Sequence, residues 1–175
     1  MSLRRYLIII ILFFIPLKVS ANVPSETHWI LQKLAQVTYR EVTLTVDKIA
    51  LKVPETWSSR AGTSGGLIMT DPLFSSVISG LYRASGQEGV KEEIEKRFFS
   101  TFDIKSQEMI ALSNGVQAER YLLSGRVGGE QTIILAASIG ASDGTKILYF
   151  AEAPEVWFKS YQPVFEDILL SIRSL

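Results

Sequence analysis

Three dipeptides, Asn114-Gly115, Gly128-Gly129 and Asp143-Gly144, divide the second half of the chain into four strand-like runs. The runs are Ile104–Ser113, Val116–Val127, Glu130–Gly140 and Thr145–Ala153. Each dipeptide supplies the positive φ angles of a tight hairpin turn, and hairpins join antiparallel neighbours. The pattern predicts an antiparallel meander. Its third run holds TIILAASI, Thr132–Ile139, apolar or small at every position. Such a strand is expected in the interior of a sheet, covered on both faces. The rest of the chain must then provide two covers.

Helical spacing marks where those covers lie. Val90, Ile94, Phe98 and Phe102 recur every four residues in Glu88–Phe102, with Lys and Glu opposite, and predict an amphipathic helix. Glu92 stands four residues before Lys96, a favourable pairing order. Trp157, Tyr161, Val164, Phe165, Ile168 and Ile172 mark one face of a C-terminal helix, which Pro163 is expected to kink or to split after a short first turn. Ser25–Arg40 reads as a shorter helix capped by Ser25, with Ile30, Leu34 and Val37 on one face. From Glu41 the period changes to two. Val42, Leu44 and Val46, then Ile49, Leu51 and Val53, alternate with polar or small residues, and Asp47-Lys48 is a turn or a bulge between them. Pro54 stops the strand because it cannot donate to a ladder. Ser58–Gly66 reads as a loop, and two further strands flank the turn-prone Asp71-Pro72. The fold class expected is α+β: an α/β/α sandwich with one central antiparallel sheet.

Before this domain stands a segment of different character. Arg4 and Arg5 precede the apolar run Tyr6–Leu17, too short to span a bilayer, which takes about 20 residues. Val19-Ser20-Ala21 places small residues where a signal peptidase reads. The reading is a signal peptide over 1–21, cleaved after Ala21, with an uncleaved anchor as the alternative. A helical segment over 22–40 and one domain over 41–175 follow. The expected location is periplasmic or secreted, with no stable membrane span after cleavage. Cleavage removes Arg4, Arg5 and Lys18 and no acid; three of 18 basic residues go, leaving 15 against 18 acidic ones. A mildly acidic domain argues against a nucleic-acid partner, since phosphate binding needs a basic face.

The chemical inventory is thin. Cysteine is absent, which removes disulfides, thiolate metal sites and thiol nucleophiles, and His28 is the single histidine. Gly62–Gly66, GTSGG, matches a nucleophile elbow around Ser64. A strand and not a helix follows it, however, and the histidine lies upstream. Gly140–Lys146 is one residue short of a phosphate loop and also leads into a strand. Lys91–Lys96, KEEIEK, reads as a solvated helix face, and Glu152, Glu155, Glu166 and Asp167 are acids with no pairing visible in sequence. The reading assigns no catalytic, cofactor-binding or metal-binding residue, and no cofactor. Trp57, Tyr121, Tyr149, Trp157 and Tyr161 are read first as core or rim packing. A ligand or partner surface, if present, is expected where Pro54–Gly66 meets the final helix, at Trp57, Ser64, Trp157 and Tyr161.

Val53-Pro54-x-x-Trp57, the central NGVQAERY of Asn114–Tyr121, and Tyr161-x-Pro163-x-Phe165 with Ile168, Leu169 and Ser171 resemble the PsbP-like domains. The likeness runs from about Lys48 to the C-terminus. That family shares its fold with a eukaryotic Ran-binding protein and the bacterial periplasmic protein DcrB. The resemblance implies a sheet between helices and a non-enzymatic, accessory or binding role in exported or organellar compartments. The chain departs from lipoprotein members in having no cysteine after the signal, and no metal site transfers to any of its residues. The function expected is a non-catalytic accessory or protein-binding module of the cell envelope, partnered by another envelope protein. A periplasmic carrier of a small or lipidic ligand is the alternative, and a carboxylate-based hydrolase ranks last.

Overall fold

The computed structural model describes residues 32–45, 48–62, 66–84, 88–141 and 144–174. The expected signal peptide, the Ser25 cap, His28 and Ser64 lie outside them. The elements are β1 (Tyr39–Leu44), β2 (Ile49–Pro54), β3 (Ser58–Ala61), β4 (Leu67–Thr70), β5 (Ile78–Ala84), α1 (Val90–Phe98), β6 (Phe102–Ala111), β7 (Gln117–Val127), β8 (Glu130–Gly140), β9 (Lys146–Pro154), α2 (Glu155–Leu170) and β10 (Arg173–Ser174).

Seven strands form one antiparallel sheet in the order β3-β4-β5-β9-β8-β7-β6. The meander β6–β9 is continuous, and β9 then pairs with β5. Gly128 and Gly129 form the two-residue link between β7 and β8, with φ of 59° and 89°. Both central residues of a type I′ turn need that sign, which only glycine adopts freely.

Alternation along the inner strands separates two cores. On β9, Ile147, Tyr149, Ala151 and Ala153 point to one face, and Leu148 and Phe150 to the other. The first face is covered by α2, whose Phe158, Tyr161, Val164, Phe165, Ile168 and Leu169 are buried at helical spacing. The second is covered by α1 through Val90 and Ile94. Gly80 opens room on that second face: a Cβ there would lie 2.8 Å from the Phe150 ring and 2.8 Å from the Leu67 carbonyl oxygen. The chain thus has the α/β/α architecture read from its pattern, with both faces of the central strands β8 and β9 buried.

Several elements differ from expectation. The first strands do not join the main sheet: β1, β2 and β10 make a separate antiparallel sheet in that order, and Ile49, Leu51 and Val53 pack into the α2-side core. The N-terminal helix does not reach Arg40. Helix is present at 32–34, and β1 starts at Tyr39, whose neighbours Val42 and Leu44 favour an extended chain. Ser58–Ala61 is a short exposed edge strand and not loop. Lys96 pairs with Glu88 and not with Glu92, while Lys91 and Glu95 form the i,i+4 pair at 3.0 Å. Pro163 lies inside α2, whose helix runs on to Leu170. The carbonyl that loses its donor belongs to Lys159, four residues back on the exposed side of the helix, where water can serve it.

Helix α1 also stops short of Phe102, which begins β6. It ends at Phe99, which adopts the left-handed conformation (φ 50°, ψ 41°) and donates its N–H to the Glu95 carbonyl. Glycine usually fills that position, and a residue with a Cβ costs about 1–2 kcal/mol there.

One buried group is left without a partner. Glu152 on β9 is 7% exposed, and its Oε2 accepts no hydrogen bond among the described residues. Burial pushes its carboxyl up from 4.5 to about 7, opposed in part by the charge of Arg97. The folded chain therefore holds this proton more tightly than the unfolded chain. Between about pH 4.5 and 7 the native state carries more protons, so stability falls as pH rises through that window. Denaturant midpoints at pH 5 and pH 8 check this: Glu152→Gln should remove most of a wild-type loss of up to about 3 kcal/mol. An unchanged pH slope in the variant would refute the assignment.

Candidate functional site

The strand that ends in Pro54 turns straight into the site. The Pro54 carbonyl accepts the Trp57 N–H at 3.1 Å, an i to i+3 turn, and the Glu55 N–H donates to the Thr38 carbonyl at 2.9 Å. The turn carries Trp57 inward to 3% exposure. Its indole meets Tyr161 at 6.4 Å between ring centroids and Phe165 edge-on at 6.2 Å. Trp57 therefore anchors the small sheet to α2 through aromatic contact.

The loop after β4 approaches from the other side. Oδ1 of Asp71 accepts the N–H groups of Leu73 at 2.6 Å and Phe74 at 3.2 Å, which folds Asp71-Pro72-Leu73 into an Asx-type turn. Its Oδ2 accepts the Tyr161 hydroxyl at 3.2 Å. Burial, reinforced by the Asp71 charge and hydrogen bond, holds the Tyr161 hydroxyl well above the usual tyrosine range. It stays a protonated donor. Phe74 lies 5.5 Å from Trp157 and meets Tyr161 edge-on at 6.4 Å.

A cavity of about 290 Å³ opens between these groups. Its walls are Lys33, Leu34, Val37 and Thr38 from the N-terminal stretch, Thr56 and Trp57 after β2, Asp71–Leu73, and Tyr161 of α2. Leu73 stands at the mouth, 45% exposed. Of the four residues read as a possible surface, Trp57 and Tyr161 line this cavity together. Trp157 lies beside it on Phe74, and Ser64 falls outside the described residues. Asp71, Leu73 and Phe74 were not singled out from sequence. The one local signal was Asp71-Pro72, an acid at the head of a turn, and nothing in it points to Tyr161, 90 positions away.

The acids named from sequence do not converge. Glu166 accepts Arg120 at 2.9 Å and Gln162 at 2.9 Å, Asp167 accepts the Tyr39 hydroxyl at 2.9 Å, and Glu152 faces the α1 core. No group of three or more His, Asp or Glu able to hold a metal occurs among the described residues. The phosphate-loop candidate is a hairpin link, in which Ala141 N–H donates to the Thr145 carbonyl at 2.8 Å and β9 starts at Lys146. No helix among the described residues is long and apolar enough to cross a membrane.

The Asp71–Tyr161 pair yields a stability test. Asp71→Ala removes the acceptor of two amides and a buried hydroxyl, and should cost about 3 kcal/mol. Tyr161→Phe keeps the ring and should cost about 1 kcal/mol. Equal losses in denaturant unfolding would show that the carboxylate does not organise the loop.

The sequence matches no protein-family model and no curated protein sequence. The structure does match solved ones. It is similar to cyanobacterial PsbP (CyanoP) from Synechocystis sp. PCC 6803, at TM-score 0.59 and 12% identity over 79% of this chain and 94% of that one. The Saccharomyces cerevisiae Ran-binding protein Mog1p follows at TM-score 0.54 and 10% identity, with 79% and 96% covered. LpqN of Mycobacterium tuberculosis, described as involved in cell envelope biogenesis, aligns at TM-score 0.50 and 14% identity, with 78% and 90% covered. At these identities the likeness is one of fold, and the chain carries the PsbP-like fold that its strand ends and terminal helix resemble in sequence.

Proposed function

We propose that this chain is an exported, non-catalytic accessory module of the cell envelope that binds another protein through the surface around Trp57, Ser64, Trp157 and Tyr161. The observation that carries the reading is the cavity beside Trp57. At about 290 Å³ it is at the lower limit of pockets that enclose a whole small molecule. It suits one large apolar side chain of a partner, set in a pocket with aromatic walls and a polar rim, which is how interface anchors sit. Leu73, 45% exposed, extends the apolar surface at its mouth.

The non-catalytic part of the reading is supported by how the acids are employed. Asp71 holds a turn, and Glu166 and Asp167 bind Arg120 and Tyr39, so these carboxylates are committed to structure. The envelope location rests on the N-terminal pattern of Arg4, Arg5 and Tyr6–Leu17 and on the likeness to LpqN. A carrier of a small ligand is the second reading; the same cavity would accept only a compact one.

Crosslinking from position 73 in envelope extract tests the reading. A photo-reactive residue at Leu73 should capture one discrete protein, and Leu73→Asp or Trp157→Ala should reduce co-purification of that protein roughly tenfold. Co-purification unaffected by either substitution, or a small molecule retained in native mass spectra and lost in Trp157→Ala, would defeat it. Mass spectrometry of the N-terminus checks export: a chain beginning at Asn22 is expected.

A further inference from the structure

A larger concavity shares no residue with the Trp57 cavity. It is an open groove of about 790 Å³ at the end of the main sheet, bounded by the link from α1 to β6 and by the ends of β6, β7 and β8. The link is pressed onto the sheet: a Cβ at Gly125 would come within 2.5 Å of the Thr101 carbonyl oxygen. The groove floor is polar, with Ser124 accepting a hydrogen bond from Gln131 at 3.1 Å.

Two features of the groove add no ring contact or ion pair to the fold among the described residues. Phe99 on its rim keeps a left-handed backbone that glycine would adopt without strain, yet its ring packs on nothing and is 95% exposed. Lys105 and Arg126 also line the groove, are exposed, and make no ion pair among the described residues. A projecting aromatic face beside two cations and one carboxylate, Asp103, which leaves the lining with a net positive charge, and a floor of amide and hydroxyl groups suits one ligand chemistry well. The apolar face of a sugar ring stacks on an aromatic ring. Its hydroxyls suit side chains such as Gln131, and a carboxylate on the sugar suits the guanidinium of Arg126.

A peptide added to the edge of the sheet fits less well. Strand β6 is the unpaired edge, but its register shifts between Ile104 and Ser106, so the ladder a peptide would extend is broken beside the groove. The groove also has no apolar pocket for an anchoring side chain. We infer that this groove is a binding site for an acidic carbohydrate, with Phe99 as the stacking platform and Arg126 and Lys105 as the carboxylate contacts.

Amide chemical-shift titration with trigalacturonic acid tests the assignment, with maltotriose and a glutamate-rich peptide as comparison probes. Trigalacturonic acid should perturb 99–105 and 124–131 and leave the Trp57 cavity unmoved. Arg126→Ala and Phe99→Gly should each weaken it by roughly tenfold or more. Phe99→Gly should meanwhile raise the denaturation midpoint, because it relieves the left-handed strain, so lost binding cannot be ascribed to misfolding. Absence of shifts at millimolar sugar, retained binding in Phe99→Gly, equal binding of maltotriose, or perturbation by the peptide alone would each overturn the inference.

Discussion

Tyr149 and Phe150 are consecutive on β9, and their rings enter opposite cores. Each is almost wholly buried, at 0% and 1% exposure. A central strand that is apolar on both faces cannot stand in water, so the sheet and its two covers form together or not at all. Tyr149 adds a directional bond to that constraint. Its hydroxyl donates to the Phe165 carbonyl inside α2 at 2.9 Å and accepts Ser79 Oγ–H from β5 at 3.1 Å. Burial keeps the phenol protonated, so the bond persists across the physiological pH range. One side chain thereby ties the terminal helix to two strands of the sheet.

The Trp57 cavity and the polar groove both arise where this packing ends. Beyond the β4 end of the sheet, α2 is met by the turn after β2 and the loop after β4. Aromatic side chains from all three leave a gap that none of them fills. Beyond the far ends of β6, β7 and β8, the α1-to-β6 link folds over Gly125 and leaves a polar hollow. The first is backed by two buried rings, Trp57 and Tyr161, the latter held by Asp71, with exposed or half-buried residues around them, and the walls of the second are mostly exposed polar groups. Their proposed ligands differ for that reason: an apolar anchor in one, and a charged, hydroxylated ring in the other.

Much of the fold was legible because it rests on local rules. The turn glycines announce a meander, since positive φ is a property of single residues. The apolar spacing of α2 follows from 3.6 residues per turn, whichever partner the helix meets. Less legible were the places where two local tendencies compete. Residues 35–40 could continue a helix or begin a strand, and pairing of Tyr39 with Pro54 across the β1–β2 hairpin favours the strand. Phe102 fits the apolar series of α1, yet ladder bonds to β7 claim it for β6.

The sequence alone determined that this chain has a two-faced antiparallel meander with amphipathic helices to cover it, and that cysteine chemistry is closed to it. Those statements depend on residue type and short-range spacing. The tertiary structure decided that the first hairpin forms its own sheet, that Asp71 meets Tyr161 and that Phe99 projects bare beside Arg126. Those facts depend on which surfaces close against each other after collapse. Contacts between residues far apart in the chain have no period for a single sequence to display.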